Sequence, residues 1–459
     1  MVAGDVALGV DPYEILAGAL ERVDGEAEAL FLRRDAALTR FANSQIHQNV
    51  SEHDASLRVR VVDGERSGVA STNRLDAAGI EDVVERAAEL CRRSAANPNA
   101  TPLAEAAAGG VDSDLGYAAS TADADPARRA EGAAAVIAAG RAAGLSVAGA
   151  FSTDATTMAV ANTNGLRSRH SSTSAKLLTV MTGEERASGY AQSVSPDIGD
   201  IDAAAVGAEA ADKAVRSVGA GDVEPGAYDV VLEEYAVQTV LEYLSLAGFS
   251  ALAVEEHRSF MELGRQIMGA NVSVWDDGTD TSGMPAAIDF EGVAKRRVDL
   301  VTGGVANAVV HDSATARRAG VESTGHGLPA PNTFGPIAWN LFMAPGDTPR
   351  DDLVRRLERG ILVTRFHYVN IVHPRRGVLT GMTKDGTFLV ENGKVVRPVR
   401  NLRFTQAIPE AFSRIDAIGA ETRLVGAEYT GVNARVPALL IRGFNFTGAT
   451  ASEAPGTGA

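Results

Sequence analysis

Alternating apolar and polar residues predict antiparallel strands in the first half of the chain. In ASLRVRVVDGERSGVAST, Leu57, Val59 and Val61 alternate with two arginines, and Asp63-Gly64 is typical of a hairpin turn. Further strands are predicted for EALFLRRD, for ALTRFANSQIHQNVS, and for the meander VAGAFSTDATTMAVANTNG, LRSRHSSTSAKLLTVMTG and ERASGYAQSVS.

Apolar residues at helical spacing predict helices between these strands. Asp11 precedes a proline, as expected of an N-cap followed by Pro at the first helical position. The predicted helices are Pro12–Val23, Leu75–Arg93, Pro126–Ala143 and Asp202–Val218. A long loop is expected about residues 97–125, and a domain boundary at Gly219–Gly226.

The second half opens with a strand, YDVVL, which runs directly into a helix, EEYAVQTVLEYLSLAGF. The predicted strands that follow are NVSVWDDG, AAIDFEGV, KRRVDLVTGGV, ILVTRFHYVNIVHP, GTFLVENGKVVRPV and LRFTQAI. Short helices are expected at Ser313–Ala319, Pro349–Glu358 and Ile408–Phe412.

This order of elements predicts an α+β fold with two domains. Residues 1–220 would form an α/β sandwich-like domain with antiparallel strands. Residues 226–447 would form a strand-rich domain with a β-barrel-like sheet. Residues 448–459, which are small and polar, would be a disordered tail.

Composition narrows the class of protein. The 459 residues include 43 basic and 59 acidic side chains, for a net charge of −16. Such an acidic chain is not expected to bind nucleic acid or an anionic membrane surface. A single cysteine, Cys91, permits no intrachain disulfide and suggests a reducing compartment, with Cys91 itself in the core. With neither a signal peptide nor a membrane span visible, we expect a cytoplasmic protein.

Histidine is the residue to examine for metal chemistry. None of the eight is followed by glutamate, so the zinc-hydrolase arrangement of two imidazoles and a neighbouring Glu is absent. His367 and His373 would face the same side of a regular strand, but about 20 Å apart. His326 lies between glycines in STGHG, which suits either close approach of a ligand or a turn. His257 and WDDGTDTSG are interpreted as a solvated charge cluster and a turn.

Several segments resemble the TldD/TldE (PmbA) family of peptidases and modulators of DNA gyrase. They are DSATARRAGVESTGHG and GTFLVENGKVVRPV, which follow VWDDGT in that order, and RFANSQIHQNVSEHDASLRVRVVDGERSG near the start. The resemblance implies a two-domain α+β fold and a dimer that encloses a proteolytic chamber. It also implies a TldD member with zinc on an H-E-x-x-x-H helix plus a cysteine, which takes in unfolded peptide as an added strand. The TldE partner lacks that metal site.

The resemblance also locates the metal helix. When Val230–Leu232 is set against the family strand, Glu242 occupies the first histidine position and Tyr243 that of the general-base glutamate. Ala247 then occupies the second histidine position, and Cys91 does not replace the family's C-terminal cysteine. The chain therefore looks like the TldE type, with no metal or catalytic residue of its own and with zinc expected in a TldD-like partner.

Three hypotheses about function stay open. The first is a non-catalytic subunit that pairs with a zinc-bearing TldD-like chain in a cytoplasmic peptidase acting on unfolded peptides. The second is an autonomous peptidase that uses His326, His367, His373 or Glu242. The third is a homodimeric scaffold that binds peptides without cutting them.

Overall fold

The computed structural model describes residues 11–105, 110–428 and 430–449, and it has the α+β class that the sequence predicts. The helices are α1 (Pro12–Leu20), α2 (Ala77–Arg93), α3 (Ala119–Ala122), α4 (Pro126–Ala142), α5 (Ala203–Arg216), α6 (Glu234–Gly248), α7 (Ala251–Glu255), α8 (Ser313–Ala319), α9 (Arg350–Arg355) and α10 (Ile408–Phe412).

The strands of the N-terminal part are β1 (Glu26–Ala42), β2 (Gln45–Asp63), β3 (Arg66–Thr72), β4 (Asp112–Ser113), β5 (Ser146–Asn162), β6 (Arg167–Thr182) and β7 (Ser188–Ser195). Those of the C-terminal part are β8 (Gly226–Leu232), β9 (Val274–Asp276), β10 (Val298–Thr302), β11 (Val305–Ala306), β12 (Asn340–Met343), β13 (Arg359–His373), β14 (Val378–Glu391), β15 (Lys394–Pro398), β16 (Leu402–Ala407), β17 (Ile415–Val425) and β18 (Asn433–Ala449).

The N-terminal sheet has the order β3-β2-β1-β5-β6-β4, with β7 also paired to β6. The prediction that EALFLRRD and ALTRFANSQIHQNVS are separate strands was wrong. The chain continues as one strand to Ala42 and turns at Asn43 and Ser44. Both turn residues have positive φ, at 50° and 59°, as the primed turns of tight hairpins require.

The two faces of this sheet have different partners. Odd-numbered residues, such as Phe31 of β1 and Leu177 of β6, are buried beneath helices. α1 and α2 cover one end of that face, and α4 and α5 cover the other. Even-numbered residues, such as Met158 of β5, face the C-terminal part and contact Ile288 there. The period of two along a strand therefore separates a helix-covered face from a face that meets the second sheet.

The C-terminal sheet is mixed, with the order β11-β10-β9-β12-β18-β16-β14-β13-β8. β8 also pairs with β18, so five of these strands close into a ring. α6 packs against β13 and β18 and is buried on nearly all sides. Strands β12, β17 and β18 were missing from the sequence prediction.

The predicted strand AAIDFEGV was also wrong, because only an isolated bridge between Ile288 and Ala294 forms there. The Asp289 carboxylate accepts the backbone N–H groups of Glu291 and Val293. These groups are therefore unavailable to a neighbouring strand, since a side chain that bonds local backbone competes with the ladder.

Most other expectations hold. The long helices begin and end within three residues of their predicted bounds, and Cys91 is buried. Within its described residues, 97–105 and 110–125, the expected loop contains only the short elements β4 and α3. The predicted boundary at Gly219–Gly226 lies between α5 and β8, and the two-domain division stays a prediction. Of the predicted tail, Gly448 and Ala449 belong to β18, and the rest lies outside the described residues.

In the described ranges, no helix is long and apolar enough to cross a membrane.

Candidate functional site

A cleft lies between the even-numbered face of the N-terminal sheet and the C-terminal part. On β6 this face presents His170, Ser172, Ser174 and Lys176 at steps of two residues. The first three line one cavity, and the Lys176 ammonium contacts the loop beside a second cavity. Six residues of strand span about 20 Å, so the two cavities lie along one extended surface.

The smaller cavity, the α6 cavity, has a volume of about 40 Å³ and lies over α6, the helix on which the sequence resemblance predicts the metal position. Its walls come from α6, β7, β13 and the loop that precedes β18. The residues that matter chemically are Gln238, Glu242, Tyr243, Arg365, His367 and Glu428.

Glu242 is buried in this cavity and held by two neutral donors. The Thr430 hydroxyl donates to Oε1 at 2.6 Å, and the Gln238 amide donates to Oε2 at 2.9 Å. Burial raises the pKa of Glu242, although both hydrogen bonds and the nearby Lys176 oppose that rise. Lys176 itself donates to the Ala427 carbonyl at 2.5 Å. A carboxyl group in this setting tends towards its neutral form.

The predicted metal positions do not converge on α6. Tyr243 is half-buried and lines the cavity beside Glu242, whereas Ala247 lies in the apolar core of the C-terminal part. An alanine side chain has no atom that can bind a metal ion, so position 247 provides no ligand. Throughout the part of the chain that the structure describes, no group of three His, Cys, Asp or Glu residues is arranged to hold a metal ion. The residues present therefore do not fit the zinc site that the family implies.

The structure brings His367 into the α6 cavity but leaves His373 outside it. The His367 ring lies against Tyr368, at 4.2 Å between ring centroids, and its Nδ1 has no hydrogen-bond partner among the described residues. Burial and the nearby Arg365 lower the pKa of His367. His373 is exposed at the end of β13. Register shifts between the two histidines break the alternation from which their shared face was predicted.

A second, larger cavity, the Lys295 cavity, has a volume of about 330 Å³ and contains His326 in its wall. His326 is completely buried, with Nε2 2.8 Å from Asp276 Oδ1 and Nδ1 2.9 Å from Thr324 Oγ1. Burial raises the pKa of Asp276, but Lys295 and His326 outweigh it and bring the value to about 2. Because an ionised Asp276 can only accept, Nε2 of His326 carries the proton.

Two carboxyl groups beside the Lys295 cavity have raised pKa values. Burial raises the pKa of Asp289 to about 7, although three backbone N–H groups donate to it. Burial and the neighbouring Asp289 raise the pKa of Glu291 well above its usual range. The Ser313 hydroxyl and backbone N–H both donate to Glu291 Oε2. Both acids therefore hold loops of the C-terminal part in place.

Ion pairs join the N-terminal part to the start of α6. Lys213 of α5 lies 2.7 Å from Glu233 and 2.8 Å from Glu209, and Arg423 of β17 lies 2.9 Å from Glu209. Burial raises the pKa of Glu209, but the two cations outweigh it and lower the value to about 2. This network fixes α6 relative to the N-terminal sheet.

Sequence reasoning missed the residues that make the Lys295 cavity. Asp276 was included in a predicted turn and Lys295 in the predicted strand KRRVDLVTGGV, and neither pattern distinguishes a buried ion pair from solvated charges. A usable signal did exist on α6, where Glu234, Gln238 and Glu242 recur every four residues on an otherwise apolar helix. His257 is exposed, as expected of a solvated charge cluster. Asp277 and Asp280 accept from residues two positions ahead, as in a turn.

Family models match the chain in three consecutive stretches. They are the PmbA/TldA metallopeptidase domain 1 at residues 27–91, the central domain at 112–218 and the C-terminal domain at 225–448. A "Metalloprotease" from Methanothermobacter thermautotrophicus is 25% identical over 223 residues, which are 48% of this chain and 48% of that protein. A "Metalloprotease TldD homolog" from Buchnera aphidicola is 26% identical over 172 residues, 35% of this chain and 34% of that protein.

The matches thus span about half or less of the length of these relatives. The crystal structure of TldE from Thermococcus kodakarensis has a TM-score of 0.85 at 18% identity, covering 95% of this chain and 99% of that one. At that level of identity, the likeness shows a shared fold.

Proposed function

The chain belongs to the PmbA/TldA metallopeptidase family, and on that premise we propose that it is a non-catalytic subunit of a zinc peptidase. In this proposal a TldD-like companion chain holds the metal, and this chain contributes a wall of the cleft that receives unfolded peptide. The single cysteine agrees with a cytoplasmic location for such an assembly.

The observation that carries the proposal is the set of residues that α6 has at the predicted metal position. On the alignment that the family resemblance implies, α6 has Glu242, Tyr243 and Ala247 where the family has ligands and a base, and Ala247 is packed into the core. Glu242 accepts hydrogen bonds from Gln238 and Thr430, and burial raises its pKa. Both of its oxygens are therefore engaged by donors of this chain, and neither Tyr243 nor Ala247 offers a metal ion an imidazole, thiolate or carboxylate.

The cleft supports the peptide-binding half of the proposal. Its β6 wall carries small hydroxyl side chains at Ser172 and Ser174, which leave room for an extended chain. Extended peptides bind such clefts mainly through main-chain hydrogen bonds and need few specific side chains.

The proposal is tested by purifying the full chain alone and together with a companion that carries H-E-x-x-x-H. We expect the isolated chain to bind no stoichiometric zinc and to cleave no unfolded peptide, and the pair to be active and sensitive to a chelator. The matched control is the same pair with the companion's two motif histidines replaced by alanine, which we expect to be inactive. Zinc bound one-to-one by the isolated chain, or a companion indifferent to this chain, would contradict the proposal.

An autonomous peptidase is the second candidate, since Glu242 and His367 line the same cavity and His367 Nδ1 has no partner in the described ranges. This candidate predicts chelator-resistant cleavage by the isolated chain that His367→Ala abolishes. His373→Ala is the matched control, because His373 is exposed and outside the cavity. Inactivity of the isolated wild-type chain would rule this candidate out.

A further inference from the structure

The Lys295 cavity contains a buried cation whose hydrogen-bonding capacity is unused. The Lys295 side chain is 3% exposed, and its Nζ has no hydrogen-bond partner among the residues described. Its nearest carboxylate oxygen, Asp276 Oδ1, is 3.9 Å away and already accepts from His326. A buried ammonium without acceptors costs free energy that a bound anion would recover.

Neither of the other acids that line this cavity pairs with Lys295, and each accepts from another donor. Asp289 accepts from the backbone N–H groups of Glu291, Val293 and Gly327. Asp154 accepts from Arg34 Nε at 2.7 Å. Among the charged side chains described in this cavity, Lys295 is thus the one whose polar atom has no hydrogen-bond partner, which favours an anionic ligand.

Asn340 supplies a second unused group beside the first. Its Nδ2 donates to the Met284 carbonyl at 2.6 Å, whereas its Oδ1 is buried with no donor in the described part of the chain. A Cβ built on Gly278 would lie 2.4 Å from Lys295 Cδ and 3.3 Å from Asn340 Oδ1, so the two side chains flank the same backbone position. The cavity thus offers a donor for an anion and, close by, an acceptor for an N–H group.

A free peptide C-terminus has this pair of groups, a carboxylate and an amide N–H on one residue. Part of the cavity wall is apolar, with Met158, Ile288, Phe290 and Trp339 available to contact a side chain. A volume of about 330 Å³ lies at the lower end of the range for ligand sites and suits one residue.

The position of the cavity fits a chain that continues along the cleft. The segment before β18 passes both cavities, with Glu428 lining the α6 cavity and Gly431 and Asn433 lining the Lys295 cavity. On the opposite wall, β6 runs from His170 to Lys176, a span of about 20 Å that an extended peptide covers with about six residues.

We propose that the Lys295 cavity binds the C-terminal residue of a peptide, with the terminal carboxylate on Lys295 and its N–H on Asn340 Oδ1. This inference rests on the proposed peptide-binding function and adds the direction in which the bound peptide lies. The peptide's C-terminus is anchored at Lys295, and the chain runs towards the α6 cavity.

The test uses one unstructured ten-residue peptide in two forms, a free acid and a C-terminal amide, each with an N-terminal fluorophore. Fluorescence anisotropy measures the affinity of each form for the full chain. We expect the acid to bind about tenfold or more tightly than the amide, as loss of a buried charge-assisted hydrogen bond implies. In Lys295→Met we expect the two forms to bind equally. Lys176→Met is the matched control, since it removes a lysine from the other end of the cleft and should preserve the ratio of acid to amide affinity.

The outcomes separate this inference from the proposed function. Equal binding of acid and amide by the wild-type chain would overturn the C-terminal anchor while leaving peptide binding intact. This comparison uses the wild-type chain alone, so it does not depend on whether a variant folds. No binding of either form would overturn both. A third outcome is that an N-acetyl amino acid displaces the peptide and binds as tightly as the peptide does. The cavity would then be a site for a small free carboxylate, and the proposal that it anchors a peptide chain would be overturned.

Discussion

His326 and Asp276 form a buried hydrogen bond, Nε2 to Oδ1 at 2.8 Å, and both residues are 0% exposed. The pair joins the loop after α8 to the end of β9. Asp276 Oδ2 also accepts the backbone N–H of Asn340 at 2.7 Å, so one carboxylate holds three segments together next to the Lys295 cavity.

Asp276→Ala should be strongly destabilising. The change leaves the Lys295 ammonium without its counter-charge and the His326 Nε2–H without an acceptor, both in the interior. Breaking a buried pair in this way costs about 3–5 kcal/mol of the free energy of unfolding. The check is urea denaturation followed by circular dichroism. Asp347→Ala, at an exposed site, is the control and should change stability by about 0.5 kcal/mol or less. A cost below about 1 kcal/mol for Asp276→Ala would contradict the role given to this carboxylate.

The Glu209 network should make the protein sensitive to acid. Lys213 and Arg423 depress the pKa of Glu209 from 4.5 to about 2 in the folded chain. The stabilisation is therefore present above pH 4.5 and is lost as the pH falls from 4.5 towards 2. One pKa unit corresponds to 1.36 kcal/mol, which makes this contribution roughly 3 kcal/mol at neutral pH.

Glu209→Gln should lower the free energy of unfolding at pH 7 by that amount, and the deficit should shrink as the pH falls below 4.5. Urea midpoints measured across this range test the expectation. Glu85→Gln, an exposed glutamate on α2, should follow the wild type at every pH. A deficit that does not change with pH would mean that the network acts through packing alone.

Two glycines with similar backbones provide a matched test of the contact between the two parts. Gly292 has φ +77°, and an added Cβ would lie 2.9 Å from Leu166 Cδ2 and 3.0 Å from Val160 Cβ. Gly320 has φ +67° with nothing within 4 Å. Gly320→Ala should cost about 1–2 kcal/mol from backbone strain alone. Gly292→Ala should cost a further 1–3 kcal/mol or so from overpacking. Equal melting temperatures for the two variants would show that Leu166 and Val160 can move away from position 292 at little cost in stability.

Glu242→Gln should become increasingly stable relative to the wild type as the pH rises. Burial raises the pKa of Glu242 above 4.5, so the folded state loses stability when rising pH ionises the group. A glutamine keeps both hydrogen bonds, because its Oε1 can accept from Gln238 while its amide donates to the Thr430 hydroxyl. Melting temperatures at pH 4 and pH 8 provide the measurement, with exposed Glu262→Gln as the control. A variant less stable than the wild type at pH 8 would show that the charged form is required, which favours the autonomous-enzyme candidate.

Local signals were enough to predict the helices and the fold class. Asp11, Asp76, Asp125 and Asp202 each precede a helix, and each accepts a backbone N–H as its N-cap. Strand limits were predicted less well, because the turn at Asn43 and Ser44 lacks the glycine that usually marks such a turn. The family resemblance drew attention to α6, and the degenerate metal position that it predicts there stays a prediction.

The Lys295 cavity could not be predicted in the same way. Asp276, Lys295, His326 and Asn340 come from four separate segments, and only tertiary packing brings them together. The hydroxyl residues of β6 were a partial signal. Polar residues at every second position of a strand normally indicate a face exposed to solvent. On β6 these residues face the second sheet instead.

The placement of both cavities along β6 has a consequence for how the gene can vary. Inserting or deleting one codon between Ser168 and Lys176 would rotate every later side chain to the opposite face. Alanine and leucine would then point into the cleft, and the lysine would point beneath the helices. We therefore expect related genes to tolerate substitutions in this segment but to preserve its length, with insertions and deletions confined to the flanking turns.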